Sequence, residues 1–360
     1  MANAAAERII SCDDHMDLEN LPPTLWTDRL PKAFLDRAPK VVDSPEGKVW
    51  QANGKILGPS GRKAAGKLEK HKLGYRPGIA KDRLEDLDRD GVAASVIYGP
   101  PGGIPFPERD VADACLRAYN DWADEFNAHD RNRLAVLALL PSHTPEVAAA
   151  ELLRVAKLGH RGAVLSLHES TEPVFFEGWE KFWAAANDAA IPVHFHLGGG
   201  VHSLKYRGKS WSYPAHVTVV PMQLDEALVG MVFSGILERY PNVKAVLAES
   251  GLGWIPYVLE RLDYEYKKYY DKIEDYRIKE VPTYYWYRQM FATYEEETFG
   301  LQHIDKIGAD NVMWASDYPH GDMTWPESKK AIMDSELGKL DPVTRRKIIC
   351  DNAAKLYGFK

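Results

Sequence analysis

Short runs of β-branched and other apolar residues alternate with helical patterns along most of this chain. Eight runs are strand candidates, at residues 8–15, 94–99, 134–141, 162–168, 191–198, 243–251, 290–297 and 311–317. Most are nearly continuous apolar stretches, which is typical of strands buried on both faces of a sheet. The segments between them, such as 110–130, place apolar residues at helical spacing. Eight strands alternating with helices predict an α/β fold, and specifically a (β/α)8 TIM barrel.

Two stretches interrupt this alternation. Residues 40–80 are rich in Lys, Gly and Pro and show no clear strand, which predicts a long insertion after strand one, near the barrel mouth. Residues 264–289 are dense in Tyr and charge, which fits a helix and a loop with tyrosines at surface and interface positions, or alternatively a segment that contacts the substrate. A doubly wound open sheet is the alternative fold, but no Gly-rich phosphate loop follows strand one. We therefore expect residues 1–360 to form a single barrel domain.

The composition excludes several classes of protein. The 360 residues carry a formal net charge of −7 without a basic stripe, which argues against nucleic-acid binding. No apolar run approaches the roughly 18 residues of a membrane span, and the first residues lack the apolar core of a secretory signal. The three cysteines form no CxxC pair, which suits a reducing cytoplasm. We expect a cytoplasmic homodimer or higher homo-oligomer that takes a small-molecule substrate.

Carboxylates and imidazoles gather where the predicted strands end. They are Asp13 and His15 after strand one, His168 after strand four, His194 and His196 in strand five, Glu249 after strand six and Asp317 after strand eight. In a barrel the carboxyl ends of all strands meet at one mouth. Asp, Glu and neutral His are the ligands of a catalytic divalent cation. A single strand-end histidine is more often structural, but the coincidence of strands one, five and eight predicts a metal site.

The stretch WASDYPH, residues 314–320, has two interpretations. Asp-Tyr-Pro is common in turns, where the Asp side chain bonds its own backbone. Alternatively, Asp317 stands at a strand end, the place where barrels keep their reactive groups, and His320 reaches over the mouth from the following loop. His194 is expected to face the side of strand five opposite to His196 and to serve packing.

Several motifs together resemble a known family. "DDH" near the start, "IPVHFHLGGG", "ERYPNVKAVLAESGLGWIPYVLERLD" and "WASDYPH" are similar to the amidohydrolase-2 (amidohydrolase-related) family of the amidohydrolase superfamily, over residues 8 to 358. This branch includes aminocarboxymuconate semialdehyde decarboxylase and the resorcylate- and vanillate-type decarboxylases. The resemblance implies a barrel with one divalent metal ion at its C-terminal mouth, zinc or alternatively manganese. The implied ligands are Asp13, His15, His196 and Asp317.

The chain departs from the family pattern at two positions. Asp13 replaces the His or Glu that the family often has in its first motif. Glu249 stands on strand six, where the decarboxylases usually have a catalytic His, so it could be a fifth ligand, a general base or the partner of a histidine.

Three functions therefore remain open. The first is metal-dependent decarboxylation of a small aromatic or unsaturated acid, in which Asp317 delivers a proton and His320, with His168, holds the substrate. The second is hydrolysis of an amide, lactone or related bond, in which Asp317 or Glu249 acts as base. The third is a non-catalytic barrel that only binds a metal or ligand.

Overall fold

Every predicted strand is found at its expected place in the chain. The computed structural model describes residues 7–45, 47–61, 73–100, 104, 106, 108–170, 172–198, 210–275 and 277–360. The strands are β1 (Ile10–His15), β2 (Lys40–Ser44), β3 (Gly47–Ala52), β4 (Lys55–Pro59), β5 (Ala94–Tyr98), β6 (Leu134–Val136), β7 (Ala138–Leu139), β8 (Ala163–Val164), β9 (Val193–His196), β10 (Ala245–Ala248), β11 (Met290–Tyr294) and β12 (Val312–Trp314).

The barrel is built from parallel ladders that follow the order of the chain. Strand β1 pairs with β5, β5 with β6, and the series β7 to β12 continues neighbour by neighbour, all in parallel. Strands β6 and β7 are two parts of one strand on either side of Leu137. Backbone bonds join the two ends: the His15 amide donates to Tyr318 at 2.7 Å, and the Asp317 amide to Asp13 at 3.0 Å. These bonds close the predicted (β/α)8 barrel, because they leave no free edge between first and last strand.

Helices cover the outside of the barrel. They are α1 (Ala80–Asp90), α2 (Arg109–Asn127), α3 (Pro145–Leu158), α4 (Glu180–Ala189), α5 (Ser212–Val219), α6 (Asp225–Phe233), α7 (Ile236–Arg239), α8 (Ile255–Tyr269), α9 (Pro282–Gln289), α10 (Phe299–Gln302), α11 (Ile304–Ile307), α12 (Ser328–Asp334), α13 (Glu336–Lys339), α14 (Pro342–Arg346) and α15 (Asn352–Tyr357). The longer helices present one apolar stripe to the strands, as the sequence pattern predicts. Among the helices in the described ranges, none combines the length and apolarity that a membrane crossing requires.

The insertion after β1 differs from expectation, because residues 40–80 do contain strands. Strands β2, β3 and β4 form a separate antiparallel sheet. Asn53 and Gly54 connect β3 to β4 with φ of 45° and 76°, the paired positive angles of a tight hairpin turn. The indole of Trp50 is buried and donates to the Leu18 carbonyl at 2.8 Å, which fixes the sheet to the segment that follows β1. The abundance of Lys and Gly obscured this Asn-Gly hairpin signal; residues 62–72 lie outside the described residues.

Strand four is shorter than expected. The sequence places it at 162–168, with His168 at its end, but β8 stops at Val164. Beyond it the Leu165 amide still bonds the neighbouring strand, whereas the Ser166 amide turns to the hydroxyl of Ser142 at 3.0 Å. The chain therefore leaves the sheet early, because the Ser166 amide bonds a side chain and not the backbone of the neighbouring strand. His168 lies in the loop that follows.

Candidate metal centre

The first two site residues come from β1, whose pairing with β5 is irregular. The register shifts between Ser11 and Asp14, so that these two side chains share one side and bond each other at 2.6 Å. Asp13 and His15 point together to the other side, with Asp13 Oδ1 3.4 Å from His15 Nε2. Bulges of this kind often lie beside active sites, because they re-aim side chains.

Four side-chain atoms from three strands converge at the barrel mouth. Asp13 Oδ1 lies 3.3 Å from His196 Nε2, and His15 Nε2 lies 3.0 Å from Asp317 Oδ1. Each of these four atoms is buried, and none has a hydrogen-bond partner of good geometry within the described chain. Buried polar atoms normally form hydrogen bonds. Four neighbouring buried atoms without one therefore indicate a binding site for a ligand. Two carboxylate oxygens and two imidazole nitrogens fit a divalent transition-metal ion.

Glu249 and Asp317 both follow strands in an unusual backbone conformation. Their φ angles are 53° and 58°, in the left-handed region that few residues other than glycine adopt. Such strained positions persist where the surrounding structure holds them, often at functional sites. Glu249 Oε2 lies 3.5 Å from His196 Nε2 and 3.9 Å from His15 Nε2, while its side chain is 35% exposed. Glu249 therefore stands at the open side of the cluster.

A chain of hydrogen-bonding groups leads away from Asp317. His320 Nδ1 is 2.9 Å from Asp317 Oδ1, and His320 Nε2 is 3.1 Å from Asp17 Oδ2. The His320 ring also stacks on His15, with centroids 3.9 Å apart. His320 thus bridges two carboxylates beside the candidate metal ligands, and Asp17 fixes its orientation.

The carboxylates and imidazoles change one another's proton affinity. Burial would lower the pKa of His196, but Asp13 and Glu249 raise it to about 9. Burial and repulsion from Asp317 raise the pKa of Glu249 to about 8. Burial alone would raise the pKa of Asp317, yet His320 and His15 hold it well below its usual range. The pKa of His320 is in turn well above normal, because Asp317 and Asp17 outweigh its burial.

Two further buried groups hold the cluster in place. The Thr293 hydroxyl donates to Asp13 Oδ2 at 2.7 Å and accepts from the Glu249 amide at 2.7 Å. His194 lies 2.6 Å from the hydroxyl of Tyr98, and the Tyr98 ring packs on both His194 and His196, so the expectation that these two histidines face opposite sides is wrong. Thr293 orients one candidate ligand and the backbone of Glu249 together, as the outer partners of metal ligands commonly do.

A cavity of about 410 Å³ opens beside His196. It extends over the carboxyl ends of β5 to β9, and most of its walls are apolar. Polar lining groups include His168, Glu169 and the pair formed by His143 and Asp113, whose Nε2 and Oδ1 are 2.9 Å apart. A mainly apolar cavity with a few polar groups is the usual form of a small-molecule site.

Sequence reasoning located most of these residues and missed others. The structure brings together Asp13, His15, His196, Asp317, Glu249 and His320, while His168 lines the cavity wall instead. The missed residues are Asp17 and Thr293. Asp17 continues the alternation that begins with Asp13 and His15 and could have been found by it. Thr293 carries no signal, because a strand threonine is ordinarily a packing residue.

Metal binding should release protons and strengthen as the pH rises. His196 is protonated at pH 7 in the metal-free protein, because its pKa is raised to about 9, and a ligating imidazole must be neutral. We therefore expect the affinity for the metal ion to fall by about tenfold for each pH unit below 9, because binding must displace the proton of His196. Calorimetric titration in two buffers of different ionisation enthalpy measures the proton count. Release of no proton near pH 7 would contradict the expectation.

Comparison with known proteins identifies the family of the chain and agrees with its fold. A family model described as Amidohydrolase matches residues 67–359. A gamma-resorcylate decarboxylase of Polaromonas sp. (strain JS666 / ATCC BAA-500) is 24% identical over 261 residues, 67% of this chain and 77% of that protein. The 5-carboxyvanillate decarboxylase of Sphingomonas paucimobilis superposes with a TM-score of 0.73 at 19% identity, covering 99% and 100% of the two chains. A dihydroxybenzoic acid decarboxylase from Polaromonas sp. JS666, solved with bound manganese and the inhibitor 2-nitroresorcinol, gives 0.66 at 19% identity, covering 98% and 97%.

Proposed function

The chain belongs to the amidohydrolase family, and on this premise we propose that it is a divalent-metal-dependent, non-oxidative decarboxylase of a small aromatic carboxylic acid. One observation carries the proposal. Four buried atoms without a hydrogen-bond partner of good geometry among the described residues, on Asp13, His15, His196 and Asp317, lie in a row with separations of 3.0 to 3.4 Å, and His196 borders the cavity. The curated relative and two solved neighbours that are named decarboxylases support the choice of reaction.

Manganese is the ion that we propose first, and zinc, which the sequence interpretation put first, is second. The dihydroxybenzoic acid decarboxylase was solved with manganese. A set of two carboxylates and two imidazoles accommodates either ion. When bound, the ion would hold the substrate carboxylate and neutralise charge on a neighbouring oxygen.

The protein's own groups account for the proton that the reaction needs. Decarboxylation breaks the bond between the ring carbon and the carboxylate, leaves the electron pair on that carbon and consumes one proton as CO₂ departs. Asp317, lying between His15 and His320, relays this proton: the protonated His320 gives a proton to the Asp317 carboxylate, which passes it to the ring carbon and leaves His320 neutral. Glu249, whose pKa is raised to about 8, is also protonated at neutral pH and can donate to a substrate oxygen at the open side.

A product assay tests this proposal against hydrolysis. Protein loaded with manganese or zinc is incubated in D₂O with gamma-resorcylate and 5-carboxyvanillate, and CO₂ and the deuterated phenol are measured. His196→Asn should abolish turnover, whereas His129→Asn, an exposed histidine after α2, should leave it unchanged. Cleavage of lactone or amide substrates without CO₂ release from any aromatic acid would replace decarboxylation by hydrolysis. A protein that binds no divalent ion would overturn both.

Replacing His320 by alanine should lower turnover but not metal content. His320 contacts Asp317 and Asp17, and a hydrogen bond to a charged group is worth enough to expect about a tenfold or greater loss in kcat/KM. Elemental analysis beside a rate assay separates the two effects. A metal-free variant would instead make His320 a ligand.

A further inference from the structure

Helix α1 sends one fully buried arginine to the junction of the first and last strands. Arg83 is 0% exposed, and Arg83 Nη2 lies 3.1 Å from Asp14 Oδ2, which is also fully buried. Removing two charges from water is expensive, so a pair buried this completely calls for a role beyond general stability. The catalytic proposal makes no use of it.

The contacts of Arg83 reach both sides of the barrel junction. Its Nη1 donates to the His15 carbonyl at 2.8 Å, and its Nη2 donates to the Tyr318 carbonyl at 3.5 Å. Its guanidinium also stacks over the Tyr318 ring at 4.5 Å. His15 and Tyr318 are themselves joined by a backbone bond. One side chain thus contacts the strand that carries two candidate ligands and the turn that follows a third.

Asp14 extends the same arrangement to a third strand. Its Oδ1 accepts from Ser11 of β1 at 2.6 Å and from Ser316, beyond β12, at 2.7 Å. Its Oδ2 accepts from Ser95 of β5. The network therefore joins β1, β5 and the segment after β12 directly behind the metal centre. Every link lies on the side of β1 opposite to Asp13 and His15.

We infer that Arg83 is a positioning residue for the metal centre, setting the distance between the pair Asp13–His15 and the turn that carries Asp317 and His320. This inference rests on the proposed function, since it concerns the metal site assigned there. The planar guanidinium is required because it reaches Asp14 and two carbonyls in fixed directions. A lysine offers the same charge from one rotating point and cannot keep all three contacts.

The test compares Arg83→Lys with Arg89→Lys, an exposed arginine on the same helix that stacks on Trp325. Calorimetry gives the manganese dissociation constant, and the absorption spectrum of the cobalt-loaded protein reports ligand geometry independently of turnover. We expect Arg83→Lys to weaken manganese binding by about 10- to 100-fold, the usual effect of disturbing groups behind metal ligands, and to change the cobalt spectrum. Arg89→Lys should match the wild type in both.

Each outcome decides one claim. If the wild type binds manganese and folded Arg83→Lys binds it equally, with the same cobalt spectrum, the positioning role is wrong while the proposed function stands. If the wild type binds no divalent ion, the proposed function fails first. Should Arg83→Lys not fold, Ser316→Ala removes one hydroxyl donor to Asp14 without leaving a charge unpaired. Unchanged manganese affinity and cobalt spectrum in that variant would equally overturn the inference.

Discussion

Asp317→Asn is expected to give a folded protein whose rate is lower by about 10²- to 10⁴-fold, the range associated with loss of general acid–base catalysis. Asparagine tolerates the left-handed backbone that Asp317 adopts at φ 58°, so the turn should survive. It lacks the negative charge that pairs with His15 and His320, and its amide cannot take a proton from His320 and pass it on. The effect therefore falls on chemistry rather than on shape.

The measurement is a rate assay at saturating manganese, beside a circular dichroism melt and elemental analysis. Asp334→Asn is the matched control, because Asp334 is exposed and pairs only loosely with Lys330 at 3.5 Å. A near-normal rate in Asp317→Asn would reduce WASDYPH to an ordinary turn and remove the main argument for the proton path. A strong fall in metal content that excess manganese reverses, together with the rate, would make Asp317 a ligand without a proton role.

Thr293→Val should weaken manganese binding, or turnover, by about 10- to 100-fold. Valine keeps the shape of threonine but leaves Asp13 Oδ2 and the Glu249 amide without the partner that the hydroxyl provides to both. Asp13 is then free to turn away from His15 and His196. Leaving buried polar groups unpaired should also lower the free energy of unfolding by roughly 1–3 kcal/mol.

Thr298→Val is the control for this substitution, because Thr298 is exposed in the loop just after β11. Calorimetric titration with manganese and urea denaturation of both metal-free variants separate affinity from stability. An unchanged dissociation constant in Thr293→Val would show that Asp13 keeps its orientation without the hydroxyl. Equal losses in both variants would show that the effect is not specific to the centre.

The barrel could be predicted from sequence because its signal is repeated and local. Each buried strand is an apolar run, and each surrounding helix has an apolar stripe, so eight independent patterns support one architecture. The antiparallel sheet of the insertion was missed, since its strands are half-exposed and rich in polar residues. The Lys-, Gly- and Pro-rich composition of this stretch predicted an irregular loop, and the Asn-Gly turn was the only local sign of a hairpin.

Only those residues of the candidate site that lie at strand ends could be predicted from the sequence. Residues at the ends of parallel strands meet by topology, so Asp13, His196 and Asp317 could be grouped without a structure. Arg83 and Thr293 could not, because their importance depends on which polar atom each one reaches, and an arginine on a helix is ordinarily a solvated charge. The bulge in β1 that turns Asp14 toward Arg83 is equally invisible, since it is an irregularity of pairing rather than of sequence.

The junction of β1 with the segment after β12 also sets an order of events during synthesis. Ser11 and Ser316, which bond across it, are 305 residues apart in the chain. At roughly 5–20 residues per second, translation separates the two halves of the centre by about 15–60 s. During that interval Asp13 and His15 exist without Asp317, so a nascent chain lacks a full set of ligands. With the proposed ligand set, an ion could be held by all four ligands only after the segment that follows β12 has been synthesised.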